Sequence, residues 1–134
     1  MTRQQNKQSK TPSKSRKKKS VSFDTVRQLG HALPGVEEGL SSGTPVLRVR
    51  GRFMAHLQQD DDSLLIRIDY LKRDILLNAD PKTFYVTDFY RCYPMMLVRL
   101  SSVDRKTLND LLEQAWRLTA PKRLVEAYDI KSSG

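Results

Sequence analysis

The residues best equipped for chemistry in this chain are arginines and aromatics. In TPVLRVRGRFMAHLQ, Arg48, Arg50 and Arg52 recur at every second position. A regular strand places Arg48 and Arg50 on one face, and the turn permitted by Gly51 leaves the direction of Arg52 open. Arg67 and Arg99 occupy the equivalent non-core positions of later strands, and His56 is expected to join them. A guanidinium presents a planar fork of donors that matches phosphate oxygens and the guanine edge. A protruding hairpin with such side chains can enter a groove as a wing. The plainer reading is a solvated outer face, with arginines partly paired to acids such as Asp69. Leu65, Met95 and Leu97 fall on this same face, and that mixture of apolar and cationic residues predicts a cover, such as a second subunit.

A second candidate is TFYVTDFYRCYP, residues 83–94, which holds Phe84, Tyr85, Phe89, Tyr90 and Tyr93, half of the chain's ten aromatics, together with Arg91 and the only cysteine, Cys92. Aromatic rings stack on nucleobases, at about 1–3 kcal/mol per base. They are also the largest contributors to a small core. Phe84 and Phe89 are expected to be buried, leaving Tyr90 and Arg91 as surface candidates.

Other chemistries find little support. The two histidines, His31 and His56, belong to no metal-binding or triad spacing, and the chain has no glycine-rich phosphate loop or dinucleotide fingerprint. Asp60, Asp61 and Asp62 could attract a hard cation, but they lack the alternation of a calcium loop and read as a hairpin turn. Cys92 has no assigned base and is expected to be inert. The expectation is a non-enzymatic protein without cofactor or metal. One cysteine also rules out an internal disulfide, which fits a reducing compartment.

Charge is unevenly distributed. The formal net charge is +9, and residues 1–20 carry eight of the 24 Lys and Arg with no acid, leaving 16 bases against 15 acids and a net of +1 for residues 21–134. The segment KSRKKKS, with Arg16, Lys17, Lys18 and Lys19, is a polycation expected to be disordered, because residues 1–20 contain no apolar residue beyond Met1. Such a segment binds phosphates without reading sequence, or serves only as a solubilising tail. No stretch approaches the roughly 18 apolar residues of a spanning helix, and no apolar run follows the basic start. The expected location is the cytoplasm.

The positioning elements follow from periodicity. Phe23, Val26, Gly30 and Leu33 recur at helical spacing behind Ser22, and Pro34-Gly35 stops that helix. GVEEGLSSG is polar and glycine-rich and reads as a loop. Leu47 and Val49, then Phe53, Ala55 and Leu57, form the apolar face of a hairpin. Leu64, Ile66 and Ile68 point inward from a third strand. Asp69 caps a short helix, YLKRDILLNA, ending before Asp80-Pro81. PKTFYVTD reads as one helical turn leading into an extended piece. PMMLVRL is another strand, with Met96, Val98 and Leu100 on one face. Asp104 caps a long helix whose stripe is Leu108, Leu111, Leu112, Ala115 and Leu118, with Trp116 beside it. Pro121 ends or kinks it, and KRLVEAYD adds a helical turn or two. The order predicts a two-layer α+β sandwich over residues 21–134. An antiparallel sheet carries helices on one face, including an N-terminal helix and a long C-terminal one.

ALPGVEE at 32–38, GTPVLRVRGRF at 43–53, DFYRCYP and LLEQAWRLTAPKRL at 111–124 together resemble the MmcQ/YjbR family over about residues 22–129. The resemblance implies an α+β fold similar to CyaY-like and secretion-chaperone-like domains. It also implies the DNA-binding label attached to a double-wing reading of that fold, and it supplies no catalytic residues. The combined expectation is a protein that holds duplex DNA with low sequence specificity. Its contacts are Arg48, Arg50, Arg52, Arg67, Tyr90, Arg91 and Arg99, helped by Arg16 and Lys17–Lys19. The alternative is a protein-interaction or homodimerisation module.

Overall fold

The alternation between Thr44 and Leu57 does form a hairpin, at the centre of a larger sheet. In a computed structural model, which describes residues 21–133, the elements are α1 (Phe23–His31), β1 (Val36–Ser41), β2 (Thr44–Val49), β3 (Arg52–Leu57) and β4 (Ser63–Arg67), then α2 (Tyr70–Ala79), β5 (Phe84–Tyr85), β6 (Met95–Arg99), α3 (Arg105–Thr119) and α4 (Lys122–Ser133). The strands make one six-stranded sheet in the order β1-β2-β3-β4-β6-β5, and every neighbouring pair is antiparallel. The architecture is α+β, as the order of elements predicts. The basic segment before Val21, including Arg16 and Lys17–Lys19, lies outside the described residues.

One face of the sheet, with Leu47, Val49, Ala55, Leu57, Leu64, Ile66, Met96 and Val98, packs against Val26 of α1 and Leu108, Leu111, Leu112, Ala115 and Trp116 of α3. Trp116 is fully buried, and its indole Nε1 donates to the Pro34 carbonyl at 2.8 Å, tying α3 to the end of α1. α2 and α4 add Leu76, Leu77, Leu124, Val125 and Tyr128 at the margin of this core. Helix starts follow the expected chemistry. The Asp69 and Asp104 carboxylates accept from the amides of Lys72 and Thr107, which satisfies one orphan donor each and is worth about 1 kcal/mol per cap.

Four local expectations are corrected. GVEEGLSSG is not a loop: Val36–Ser41 pairs with β2 along its whole length as an edge strand, because a neighbour supplies the ladder that its composition disfavours. Phe53 does not face the core. The register slips between Leu47 and Arg48, and this bulge turns Met54 inward beside Ala55 and leaves Phe53 half-buried on the other side. In α3, Leu118 is exposed and Trp116 is inward. Thr119 takes the next inward position and satisfies its hydroxyl on the Ala115 carbonyl at 2.7 Å. Finally, KRLVEAYD belongs to the 12-residue helix α4 rather than to a turn or two.

Gly30 marks the closest approach of α1 to the sheet, since an added Cβ would stand 2.8 Å from Leu47 Cδ1. Glycine to alanine inside a helix normally gains about 0.5–1 kcal/mol, whereas overpacking a full core costs about 1–3 kcal/mol. The second term is the larger. Gly30→Ala should therefore lower the unfolding free energy by about 1 kcal/mol, read as an earlier urea midpoint with unchanged slope; a later midpoint would show that Leu47 yields freely.

Candidate nucleic-acid interface

The face of the sheet away from the helices is built from alternate residues of every strand. Across its middle runs the row Val46, His56, Leu65, Leu97 and Tyr85, fixed by strand register. Arg48, Phe53, Arg67 and Met95 lie on one side of this row, and Ser63 pairs with Arg99 on the other. The three arginines share the outer face, as their spacing predicts. Val46, Leu65 and Leu97 are nevertheless buried although no helix lies on them. Tyr85 continues this row, and Arg48 Nη1 lies beside Val46 over Gly39.

Strand direction sorts charge to the two ends of the sheet. β2 and β4 finish, and β3 and β6 begin, at the same end. That end gathers Arg48, Arg50, Arg52 and Arg67, with the 86–94 loop beside them and Glu37 of β1 in register with Arg48. None of these four arginines forms an ion pair among the described residues; Arg67 Nε instead donates to the Phe53 carbonyl at 3.4 Å. The expected pairing with Asp69 does not occur, because Asp69 caps α2. Arg50 and Gly51 form the hairpin turn with φ of 52° and 83°, the two-residue geometry that matches strand twist but suits Asn or Gly better than Arg. Arg50 has therefore left the strand alternation that would have put it beside Arg48.

The opposite end is acidic. Asp60 accepts the amides of Asp62 and Ser63 and the Ser63 hydroxyl, and Asp62 accepts the amide and hydroxyl of Ser101. The aspartate run is thus a built turn, and no group of three His, Cys, Asp or Glu among the described residues is placed to hold a metal ion. Arg99 belongs to this end. Its guanidinium stacks 4.2 Å from the Tyr85 ring centroid, while the Tyr85 hydroxyl meets Ser63 Oγ at 2.7 Å. His56 faces the same way, with Nε2 2.8 Å from Thr44 Oγ1 and 3.0 Å from the Ser41 carbonyl. The structure therefore separates Arg99 and His56 from the other candidate groups.

The aromatic loop also departs from expectation. Phe84 is buried in the core, but Phe89 is 69% exposed and Tyr93 46%. Phe89, Tyr90 and Tyr93 cluster with ring centroids 4.9–6.5 Å apart. Tyr90 is half-buried, and exposed Arg91 pairs with Asp88 at 3.3 Å. Phe89 is outside because the 86–94 segment is held by its backbone rather than by its rings. Arg73 of α2, only 6% exposed, donates Nη1 to the carbonyls of Tyr93 at 2.9 Å and Met95 at 3.1 Å, and Nη2 to that of Arg91 at 3.0 Å. Its Nη1 also reaches the Tyr90 carbonyl at 3.5 Å, its Nε is buried without an acceptor, and its guanidinium lies 4.9 Å from the Tyr70 ring centroid. The Tyr70 hydroxyl donates to the Cys92 carbonyl at 2.7 Å. Arg73 was not a candidate by sequence. The available signal was its place on the inward stripe of α2, three and four residues before Leu76 and Leu77.

Further ion pairs join other elements. Arg27 joins α1 to Glu38 of β1, holding the Glu38 carboxyl below the usual range chiefly through its hydrogen bond. Arg117 bridges Glu113 and Asp129, lowering Asp129 by the same kind of bond. Asp60 is lowered mainly by the amides of Asp62 and Ser63.

A family model described as YjbR matches residues 31–118, more than half of the chain, and the chain belongs to that family. Uncharacterized proteins of Mycobacterium bovis (Mb2600) and Mycobacterium tuberculosis (Rv2570) are each 36% identical to it over 53 residues, 40% of this chain and 41% of theirs. The match therefore spans less than half the length of these relatives. Among solved structures, Deinococcus radiodurans protein DR2400, with a DUF419 domain, superposes with a TM-score of 0.64 at 22% identity, covering 75% of this chain and 78% of that one. That likeness bears on the fold.

Two outcomes follow from these contacts. Carboxylates held below their usual range stabilise the fold above that range, and the contribution is lost as pH falls through their depressed values. Unfolding stability should thus be level near neutrality and fall below about pH 4, with Asp60→Asn flattening the acid side; an unchanged profile would remove the turn from this role. Arg73→Met should cost about 3 kcal/mol by stranding carbonyls and should accelerate amide exchange across residues 86–94 more than in β3. Uniform acceleration would show that Arg73 does not act as a local staple.

Proposed function

We propose that this protein is a non-enzymatic, cytoplasmic nucleic-acid-binding module that holds duplex DNA with low sequence specificity. Its contact surface is the end of the sheet bearing Arg48, Arg50, Arg52 and Arg67. The observation that carries this reading is the sorting of charge along the strands. Four arginines without acid partners among the described residues share one end, while Asp60–Asp62 are held at the other. A folded part of net +1 thereby still offers a concentrated cationic edge. The hairpin turn projects Arg50 and Arg52 as a wing, and exposed rings at Phe89 and Tyr93 border the same end. The likeness to MmcQ/YjbR proteins, with their DNA-binding label, supports the same reading. Arg16 and Lys17–Lys19 add sequence-independent attraction. No helix among the described residues is long and apolar enough to cross a membrane.

A protein partner is the second reading, favoured by a different surface. Leu71 and Ile75, 73% and 56% exposed, leave an apolar outer stripe on α2, and Phe89 and Tyr93 are exposed nearby in sequence to the residues α2 clamps. Exposed aromatics on a fixed backbone are the usual anchors of protein interfaces.

The test is duplex-DNA anisotropy with the full chain over a range of salt. Each phosphate contact contributes about −0.9 to the slope of log affinity against log salt. Arg48→Ala/Arg52→Ala/Arg67→Ala should weaken binding and reduce the slope by about 2 to 3, and substitution of Arg16 and Lys17–Lys19 should reduce it separately. If the triple variant binds like the wild type while the tail variant does not bind, the folded part is no DNA contact surface, and the α2 stripe becomes the surface to pursue.

A further inference from the structure

Beside the hairpin turn, on the helical side of the sheet, lies a groove of about 470 Å³ lined by Arg50, Pro121, Arg123, Leu124 and Ala127. We infer that this groove is a binding site for a small amphipathic anion, with its apolar body against Pro121, Leu124 and Ala127 and its acidic group between the Arg50 and Arg123 guanidiniums. Arg123 and Ala127 are four residues apart on α4 and Leu124 lies between them, so one helix face supplies both a charge and the apolar wall. The volume is that of a small-molecule site, and a few polar groups on an apolar surface are the composition such sites share. Neither Arg50 nor Arg123 has an acid within ion-pair distance among the described residues. Two arginines without an ion pair among five lining residues complement an anion rather than a neutral ligand.

The hairpin turn, in which Arg50 adopts a φ of 52°, fixes the Arg50 backbone beside the groove. Gly35, with φ of 77°, closes the floor: a Cβ there would stand 3.0 Å from Leu124 Cδ2 and 3.5 Å from Arg50 Nε. The missing side chain at Gly35 thus lets Leu124 and Arg50 approach the same stretch of backbone at the groove. The inference shares Arg50 with the DNA reading, and the two are told apart by their variants, since the triple variant of the DNA test leaves Arg50 and Arg123 in place.

The experiment uses octanoate and its uncharged counterpart octanol, titrated into the full-length, nitrogen-15-labelled chain and followed by amide shifts. Octanoate should give saturable shifts centred on Gly35, Gly51 and residues 123–127, and octanol should need at least about tenfold more to do so. Arg50→Gly/Arg123→Gln should raise the octanoate half-saturation about tenfold or more, with the spectrum still that of a folded chain, since glycine suits the turn. Ala127→Trp, at an exposed helix position, should block both ligands. Absence of octanoate shifts, shifts centred on residues 89–93 instead, equal binding of octanol, or full binding by either variant would each overturn the assignment.

Discussion

The constraint on which this structure depends is that the four helices among the described residues pack on one face of an antiparallel sheet. A sheet so covered has to hide the apolar residues of its other face by lateral means. Here the outer face carries a buried central row, Val46, Leu65 and Leu97, with Arg48 lying beside Val46 and Arg99 stacked on Tyr85. Arginine is well suited to such a face, since its methylenes can cover hydrocarbon while its guanidinium remains in water.

The aromatic loop obeys a different economy. Its rings do not hold it in place; Arg73 does, through carbonyls from Tyr90 to Met95. An arginine buried against carbonyls rather than a carboxylate forms no ion pair, and each hydrogen bond to a charged donor is stronger than a neutral one. Because the backbone is fixed from within, Phe89 and Tyr93 can stay in water without the loop collapsing. Ordering that a partner would otherwise have to impose is already in place.

Much of the architecture was legible because hydrophobic period and capping chemistry agree with the tertiary fold. Asp69 and Asp104 announce their helices, and Leu64, Ile66, Met96 and Val98 announce their strands. What failed, failed where long-range structure overrides local pattern. Val36–Ser41 is a strand only because β2 lies beside it. Phe53 reads as inward until a bulge at the neighbouring Met54, visible only in the pairing with β2, shifts the count. Phe89 reads as core because aromatic residues usually are, and only the remote Arg73 explains its exposure. For the candidate site, period two correctly put Arg48, Arg67 and Arg99 on one face. It could not say that Arg50 turns aside, or that Arg99 and His56 are engaged at the other end. Distance along a strand, unlike face, depends on register, and register is not written in any single segment.

The hairpin end gathers Arg48, Arg50, Arg52 and Arg67 while Asp60–Asp62 form the far turn, so the sheet carries its charge unevenly although residues 21–134 are close to neutral, with Glu37 opposite Arg48 and Arg99 beside the aspartates reducing the asymmetry. In a non-uniform field such a body experiences a torque before it experiences much pull. Near any polyanion it would rotate its hairpin end forward at separations comparable with the screening length, about 8 Å at physiological salt. Orientation would then be selected during approach, so fewer encounters need to be rejected for presenting the wrong end. A molecule of the same composition with its charges evenly mixed would lose that alignment without losing a single charge.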